Sequence, residues 1–241
     1  MKRRDFLIAG GATGAAAIGG TALFMNTKTN GQTNLKTDDS LKLTPPRTGT
    51  IPVAFLVSPR FTVIDALGPW EVFQDVAPEG RGFGVFELFT VAESYETLTA
   101  TGGLKVVPNY TFRDAPQPKV VVIGAQSDAT PAMYDWLKKA AVNADVVMSV
   151  CTGAYLLAKS GLIDGKSATT HHGFYEGFVR EFPKVELKRN VRFVEEKKFA
   201  SAGGLTSGID LALRVVERYF GRETAEKTAV YMEYQSKSWM V

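Results

Sequence analysis

Short apolar segments rich in β-branched residues alternate with stretches of helical period from residue 51 onward. Four of these segments lack polar alternation, as expected for strands that are buried on both faces of a parallel sheet. They are residues 51–57, 85–91, 120–123 and 146–150. Because parallel strands need crossover connections, which helices usually supply, we predict an α/β fold in which helices cover a parallel sheet.

The predicted helices lie between and after these strands, at residues 66–75, 131–142, 153–160, 208–220 and 222–234. Two short strands are expected within residues 190–202. The chain is 45% hydrophobic and 22% charged, which is typical of a soluble globular protein. We see no internal repeat, and we predict one folded domain over residues 50–241.

The N-terminal residues resemble an export signal. Arg3 and Arg4 precede an apolar run, rich in Gly and Ala, that extends to Phe24. A paired arginine before such a run is typical of the twin-arginine route. We predict that residues 1–25 are a twin-arginine signal or a retained membrane anchor, which places the domain in the periplasm or on the outer face of a membrane. Residues 26–49 have the composition of a flexible linker.

The charge of the chain gives little reason to expect a polyanionic partner. The formal net charge of +3 falls to +1 once the first 40 residues are set aside. Residues 235–241, after the last predicted helix, are too few for a helix-turn-helix. We therefore expect no nucleic-acid partner.

Cys151 is the single cysteine of the chain, and lone cysteines are most often inert core residues. Its surroundings favour another interpretation, because it follows a buried strand and precedes Thr152, Gly153 and a predicted helix. A turn of this kind places a nucleophile in the crevice at the carboxyl ends of the strands. We expect the helix N-terminus to lower the pKa of the thiol, and the N–H groups of Thr152 and Gly153 to bind an anion.

Asp65 lies in an apolar setting at the start of the first predicted helix. One interpretation is a helix N-cap, a role that Asp fills well. The other is an acid/base role, because apolar surroundings and a nearby thiolate would raise the pKa of the carboxyl group. The sequence leaves both open.

His171 and His172 are the two histidines of the chain. On a strand, adjacent side chains point to opposite faces, so we expect at most one of them to face the site. That residue either pairs with Cys151 or is structural. The usual Cys and His spacings of a zinc site are absent from the sequence, and we predict no metal.

Together these segments resemble the ThiJ/PfpI superfamily, which has the class I glutamine amidotransferase-like (flavodoxin-like) fold, and within it the isonitrile hydratase branch. The resemblance covers about residues 50–235, and its most specific segments are residues 65–73, 151–154, 161–165, 168–171 and 201–210. It implies a three-layer sandwich with a mostly parallel central sheet, a homodimer, a small-molecule substrate and no cofactor.

The resemblance implies hydration of an isonitrile-like substrate to an N-substituted formamide through a thioimidate. Cys151, Asp65 and Thr152 would be the catalytic residues, and an oxyanion or binding role would fall to Gly124, Ala125, Gly153 and His171. Peptidase-like members place a histidine where this chain has Thr152, which argues against a protease. The usual Pro-Gly-Gly after the third strand is also altered, because Gly124 is followed by Ala125 and Gln126.

Two other functions remain open from the sequence. The superfamily also uses an exposed thiolate in glyoxalase- or deglycase-like chemistry on small aldehydes. A non-catalytic role is a second alternative, in which the exported domain binds a ligand or senses oxidation through Cys151.

Overall fold

A computed structural model describes residues 39–127 and 129–241, and the predicted signal at residues 1–25 lies outside this range. The described strands are β1 (Ile51–Leu56), β2 (Phe86–Ala92), β3 (Leu98–Thr99), β4 (Lys105–Val106), β5 (Tyr110–Thr111), β6 (Val120–Ile123), β7 (Val146–Val150), β8 (Ser167–Ala168), β9 (Glu186–Leu187), β10 (Phe193–Glu196) and β11 (Phe199–Ala202). The α-helices are α1 (Val63–Gln74), α2 (Pro131–Asn143), α3 (Gly153–Lys159), α4 (Tyr175–Glu181), α5 (Ser207–Phe220) and α6 (Arg222–Tyr231).

The four predicted apolar strands lie together in a seven-stranded sheet, counted over the described residues, of order β10-β11-β7-β6-β1-β2-β5. Every neighbouring pair in this sheet is parallel except β10 with β11. Because β1, β6 and β7 are buried on both faces, they contain no polar alternation.

Helices cover both faces of this sheet. Alternate residues of the central strands face opposite sides, so that Phe55 packs with α1, α5 and α6 while Leu56 packs with α2, α3 and α4. The two apolar clusters that result hold the helices against the sheet. This arrangement confirms the predicted three-layer α/β sandwich with a mostly parallel sheet.

The differences from the predicted elements have local causes. Helix α1 begins at Val63, three residues earlier than predicted. Helix α6 ends at Tyr231 because Glu233 takes a left-handed conformation, with φ +53°, and the chain turns back. Helix α4 was not predicted, since Phe178 is its single fully buried residue and so short an element shows no apolar period.

The described part of the predicted linker contacts the domain. Leu43 donates its N–H to the carbonyl of Arg218, and the carbonyl of Leu41 accepts from Arg218 Nε, both at 2.8 Å. Arg81 donates to the carbonyls of Pro46 and Gly49. These bonds hold residues 41–49 against the sandwich. In the part of the chain that the structure describes, no helix combines the length and apolar character needed to cross a bilayer.

Candidate active site

Cys151 occupies a tight turn between β7 and α3. Its φ of +60° is unusual for a residue other than glycine, and such strain is typical of a nucleophile at a strand-to-helix turn. The backbone fixes this conformation, because Cys151 N–H donates to the carbonyls of Gly203 at 2.7 Å and Ala202 at 3.2 Å. Its own carbonyl accepts from Thr170 Oγ1 at 2.9 Å. The predicted turn is therefore present and is held from both sides.

Gly153 allows this turn to pack closely on the neighbouring strand. A Cβ atom at residue 153 would lie 2.1 Å from the carbonyl oxygen of Ile123, the last residue of β6. No side chain fits at that distance, so α3 can begin here only with glycine. This requirement for a small residue follows from packing and is separate from the anion-binding role predicted for Gly153.

We expect Gly153→Ala to lower the free energy of unfolding by about 1–3 kcal/mol, the usual cost of overpacking a buried site. Urea unfolding followed by circular dichroism measures this change. Gly68→Ala in α1 is the matched control, because the methyl group there would meet only the side chains of Ile209 and Ile64, at 3.1 Å or more. An unchanged or higher stability of Gly153→Ala would contradict the close packing.

Asp65 is fully buried in the first turn of α1. Its Oδ2 accepts the N–H of Ala125 at 3.0 Å, while Oδ1 has no hydrogen-bond partner within the described residues. Gly124 permits this approach, since a Cβ there would lie 2.9 Å from the Cβ of Asp65. The N-cap of α1 is Thr62, so the capping interpretation of Asp65 was wrong.

The Asp65 carboxyl group and the Cys151 thiol influence each other's pKa. Burial raises the pKa of Asp65 to about 6, although hydrogen bonds from Ala125 N–H and the thiol lower it in part. Burial and the charge of Asp65 together raise the pKa of Cys151 to about 11, against opposing backbone hydrogen bonds from Thr152 and Leu205. At neutral pH the pair therefore holds one proton, which lies on sulfur.

The predicted lowering of the Cys151 pKa was therefore wrong. Helix α3 has seven residues, and its N-terminal field acts on the thiol of a residue that is only 7% exposed and lies beside a carboxylate. Desolvation and like-charge repulsion outweigh a short helix dipole. The raised pKa predicted for the carboxyl group of Asp65 agrees with the structure.

The remaining predicted oxyanion and binding residues lie in two places. Gly124, Thr152 and Gly153 line a cavity of about 190 Å³. Ala125 has a different role from the predicted one, because its N–H is already bonded to Asp65 and so is not free for an oxyanion. The structure therefore brings Gly124 and Gly153 together with Thr152, which was predicted as catalytic, and makes Ala125 a support for the carboxyl group.

The two histidines are not on a strand, which corrects the expectation that they point to opposite faces. Strand β8 ends at Ala168, and His171 precedes a 3₁₀ turn, where its Nδ1 accepts the N–H of Gly173 at 3.1 Å. The rings of His171 and His172 stack with centroids 4.3 Å apart. Both line a second cavity, of about 470 Å³, next to the loop that follows β11. No hydrogen bond joins either ring to Cys151 within the described residues.

Leu205, Gly203 and Thr170 contact Cys151, yet sequence reasoning assigned them no role. The pair Gly203-Gly204 after a predicted strand is the sequence signal that could have identified Gly203 and Leu205. Strand β11 lies beside β7, with Ala202 opposite Val150. Gly203, which follows β11, therefore lies next to Cys151, which follows β7. Across residues 39–127 and 129–241, His, Cys, Asp and Glu side chains form no group of three that could hold a metal ion.

Known proteins resemble this chain over most of the sandwich. The model of the DJ-1/PfpI family matches residues 52–218. Isonitrile hydratase from Pseudomonas putida is 29% identical over 187 residues, which cover 76% of this chain and 78% of that enzyme. The HTH-type transcriptional regulator GbdR from Pseudomonas aeruginosa is 25% identical over 187 residues, but the match spans only 50% of the regulator.

Solved structures show the same flavodoxin-like architecture. A ThiJ/PfpI family protein from Pseudomonas syringae superposes with a TM-score of 0.67 at 25% identity, covering 79% of this chain and 77% of that one. DJ-1beta from Drosophila melanogaster gives a TM-score of 0.66 at 14% identity, covering 78% of this chain and all of that one. Since the family model spans more than half of the sequence, this chain belongs to the DJ-1/PfpI family.

Proposed function

We propose that this protein is a cysteine-dependent hydratase that converts a small isonitrile into an N-substituted formamide. The observation that supports this proposal best is the buried Cys151–Asp65 pair, which places one transferable proton between a nucleophile and a carboxylate. The similarity to isonitrile hydratase from Pseudomonas putida favours the same chemistry. The reaction adds one water molecule and needs neither an oxidant nor a reductant.

The first half of the reaction forms a thioimidate. Asp65 takes the proton of the Cys151 thiol as sulfur adds to the terminal carbon of the isonitrile, R–N≡C. The same proton then passes from Asp65 to that carbon. One C–S bond and one C–H bond form, and the product of this step is R–N=CH–S–Cys151. The sulfur and the hydrogen of the thiol are thus both bonded to the former terminal carbon of the isonitrile.

The second half returns the free thiol. Water adds to the thioimidate carbon, with one of its protons going to nitrogen and its oxygen remaining as a hydroxyl group. The C–S bond then breaks, the hydroxyl proton returns to sulfur through Asp65, and R–NH–CHO leaves. The Thr152 hydroxyl and the N–H group of Gly124 would hold the intermediates, while Thr152 N–H bonds to sulfur. One such donor contributes about 3 kcal/mol in known oxyanion holes.

The pH dependence of turnover follows from the two pKa values. Below about 6 Asp65 is protonated and accepts no proton from the thiol, so kcat/KM should rise with pH up to that value. Above about 11 the pair has lost its proton and cannot supply one to carbon, so kcat/KM should fall. We therefore expect a plateau between these limits, measured as formamide production against pH.

Circular dichroism at each pH is the control for this profile, since it separates loss of the fold from loss of the reactive protonation state. A decrease in kcat/KM centred near 8.5, where an ordinary cysteine titrates, would contradict the assignment of a shared proton to the pair.

The proposed reaction is tested directly by incubating the purified domain with small alkyl isonitriles and following the N-alkylformamide by proton NMR. Methylglyoxal, assayed in parallel, tests the glyoxalase- or deglycase-like alternative. We expect the formamide and no enzyme-dependent loss of methylglyoxal. Conversion of methylglyoxal without any formamide would replace the proposed reaction with the aldehyde chemistry.

A ligand-sensing domain is the second candidate. Two observations favour it. The chain matches half of the regulator GbdR, and Cys151 is only 7% exposed with a thiol that is protonated at neutral pH. A sensor would bind a small molecule at this site without changing it. Binding of an isonitrile or formamide with no turnover over hours would support the sensor against the hydratase.

A further inference from the structure

The second cavity, lined by His171, Tyr175, Arg192, Leu205 and Ser207 among others, has a volume of about 470 Å³. We propose that this histidine cavity binds a carboxylate group of the substrate, so that the protein acts on isonitriles bearing a carboxylate. The inference rests on the proposed function and adds a substrate class to it. It depends on the position of the cavity and on the hydrogen-bond donors that line it.

The histidine cavity adjoins the nucleophile. Three residues of its lining touch Cys151: the backbone of Leu205 bonds to the thiol, Gly203 accepts the N–H of Cys151, and Thr170 donates to its carbonyl. Of these contacts only that of Leu205 reaches the sulfur, and it is the contact along which we infer that a short substrate bound at sulfur extends its substituent into the cavity.

Several donors in the lining have no acceptor among the described residues. Ser207 is 3% exposed, and its hydroxyl group makes no hydrogen bond there. The hydroxyl oxygen of Tyr175 accepts from Asn190 N–H, which leaves its own proton to donate. Because His171 Nδ1 accepts from Gly173, the ring nitrogen that is left to donate is Nε2. These groups can therefore donate to a ligand that enters the cavity.

The described lining of the histidine cavity contains no carboxylate that could accept hydrogen bonds from these donors. Among the described residues, no Asp or Glu side chain lines the cavity. The charge of Arg192 is compensated by the buried Asp210, which also accepts from Ser236, while the Nη1 of Arg192 has no partner in the described range. The cavity thus offers donors without competing anions. A carboxylate accepts about four hydrogen bonds, more than a neutral amide oxygen, and bonds to it are stronger.

The test uses N-formylglycine, the formamide expected from isocyanoacetate, and its uncharged analogue N-formylglycinamide. Isothermal titration calorimetry on the full chain should show N-formylglycine binding about tenfold more tightly than the amide. Ser207→Ala and Tyr175→Phe should each weaken N-formylglycine about tenfold, the effect of one hydrogen bond to a charged group. Tyr231→Phe is the matched control, because Tyr231 is exposed on α6 and lines neither of the two cavities, so the affinity of this variant should stay unchanged.

The outcomes separate this inference from the proposed function. Equal affinity for the two probes, or unchanged affinity in both Ser207→Ala and Tyr175→Phe, would overturn the carboxylate site even if isonitriles are hydrated. Selective binding of N-formylglycine without hydration of any isonitrile would uphold the site and refute the hydratase. If hydration does occur, an equal kcat/KM for isocyanoacetate and isocyanoacetamide would again overturn the carboxylate preference.

Discussion

Replacing Cys151 with alanine is expected to lower kcat/KM for isonitrile hydration on the order of 10⁶-fold, the loss seen when a covalent nucleophile is removed from an enzyme. No other described side chain can take its place, because Cys151 is the single cysteine and Asp65 is too weak a nucleophile toward an isonitrile. Formamide production, followed by NMR over hours, measures the residual rate.

The Cys151→Ala variant should remain folded. The turn is held by the backbone N–H and carbonyl of residue 151, which alanine retains, and the φ of +60° is no harder for alanine than for cysteine. Thermal unfolding checks this point. Formamide production within tenfold of the wild type by a folded Cys151→Ala variant would rule out a covalent mechanism.

Replacing Asp65 with asparagine should reduce kcat/KM by about 10²–10⁴-fold, the usual contribution of a general acid/base. Asparagine can still accept the N–H of Ala125 through its amide oxygen, so the fold at this position is retained. What is lost is the group that moves the proton from sulfur to carbon. The same assay measures the loss, and the rise of kcat/KM near pH 6 should disappear with it.

The pKa of the Cys151 thiol is a second measurement for the Asp65→Asn variant. If Asp65 had only a structural role, this pKa would not change. Because the charge of Asp65 raises the pKa of Cys151, the asparagine variant should titrate at a lower pH than the wild type. Thiolate absorbance against pH measures this shift. Glu71→Gln, an exposed change on the same helix, is the control. An unchanged thiol pKa in Asp65→Asn would show that the two groups are not coupled.

The sequence was sufficient to predict the sheet and the turn at Cys151. The strands β1 and β6 are uninterrupted apolar runs, and β7 contains a single polar residue, Ser149. The pattern of strand, Cys151, Thr152 and Gly153 predicts a tight turn from local residues alone. These features depend on short stretches of the chain, where burial on both faces leaves a direct pattern in the residue types.

Features that depend on distant contacts were not predictable in the same way. The sign of the Cys151 pKa shift depends on how deeply α1 brings Asp65 into the core, and no local pattern measures that depth. The position of His171 depends on Gly204, where a Cβ would lie 2.3 Å from the imidazole ring. The pair Gly203-Gly204 can be recognised in the sequence, but His171, which packs against Gly204, lies more than thirty residues earlier in the chain.

The close packing of Gly153 also limits how this site can be altered by engineering or by natural drift. Val150 is completely enclosed and residue 153 admits no side chain, so neither neighbour of the turn can change without distorting it. Thr152 differs, because it is half-buried and borders an open space of about 190 Å³. Residue 152 is therefore the position next to the nucleophile where the packing tolerates other side chains, and a saturation library there changes the donor proposed to hold the intermediates without remodelling the turn.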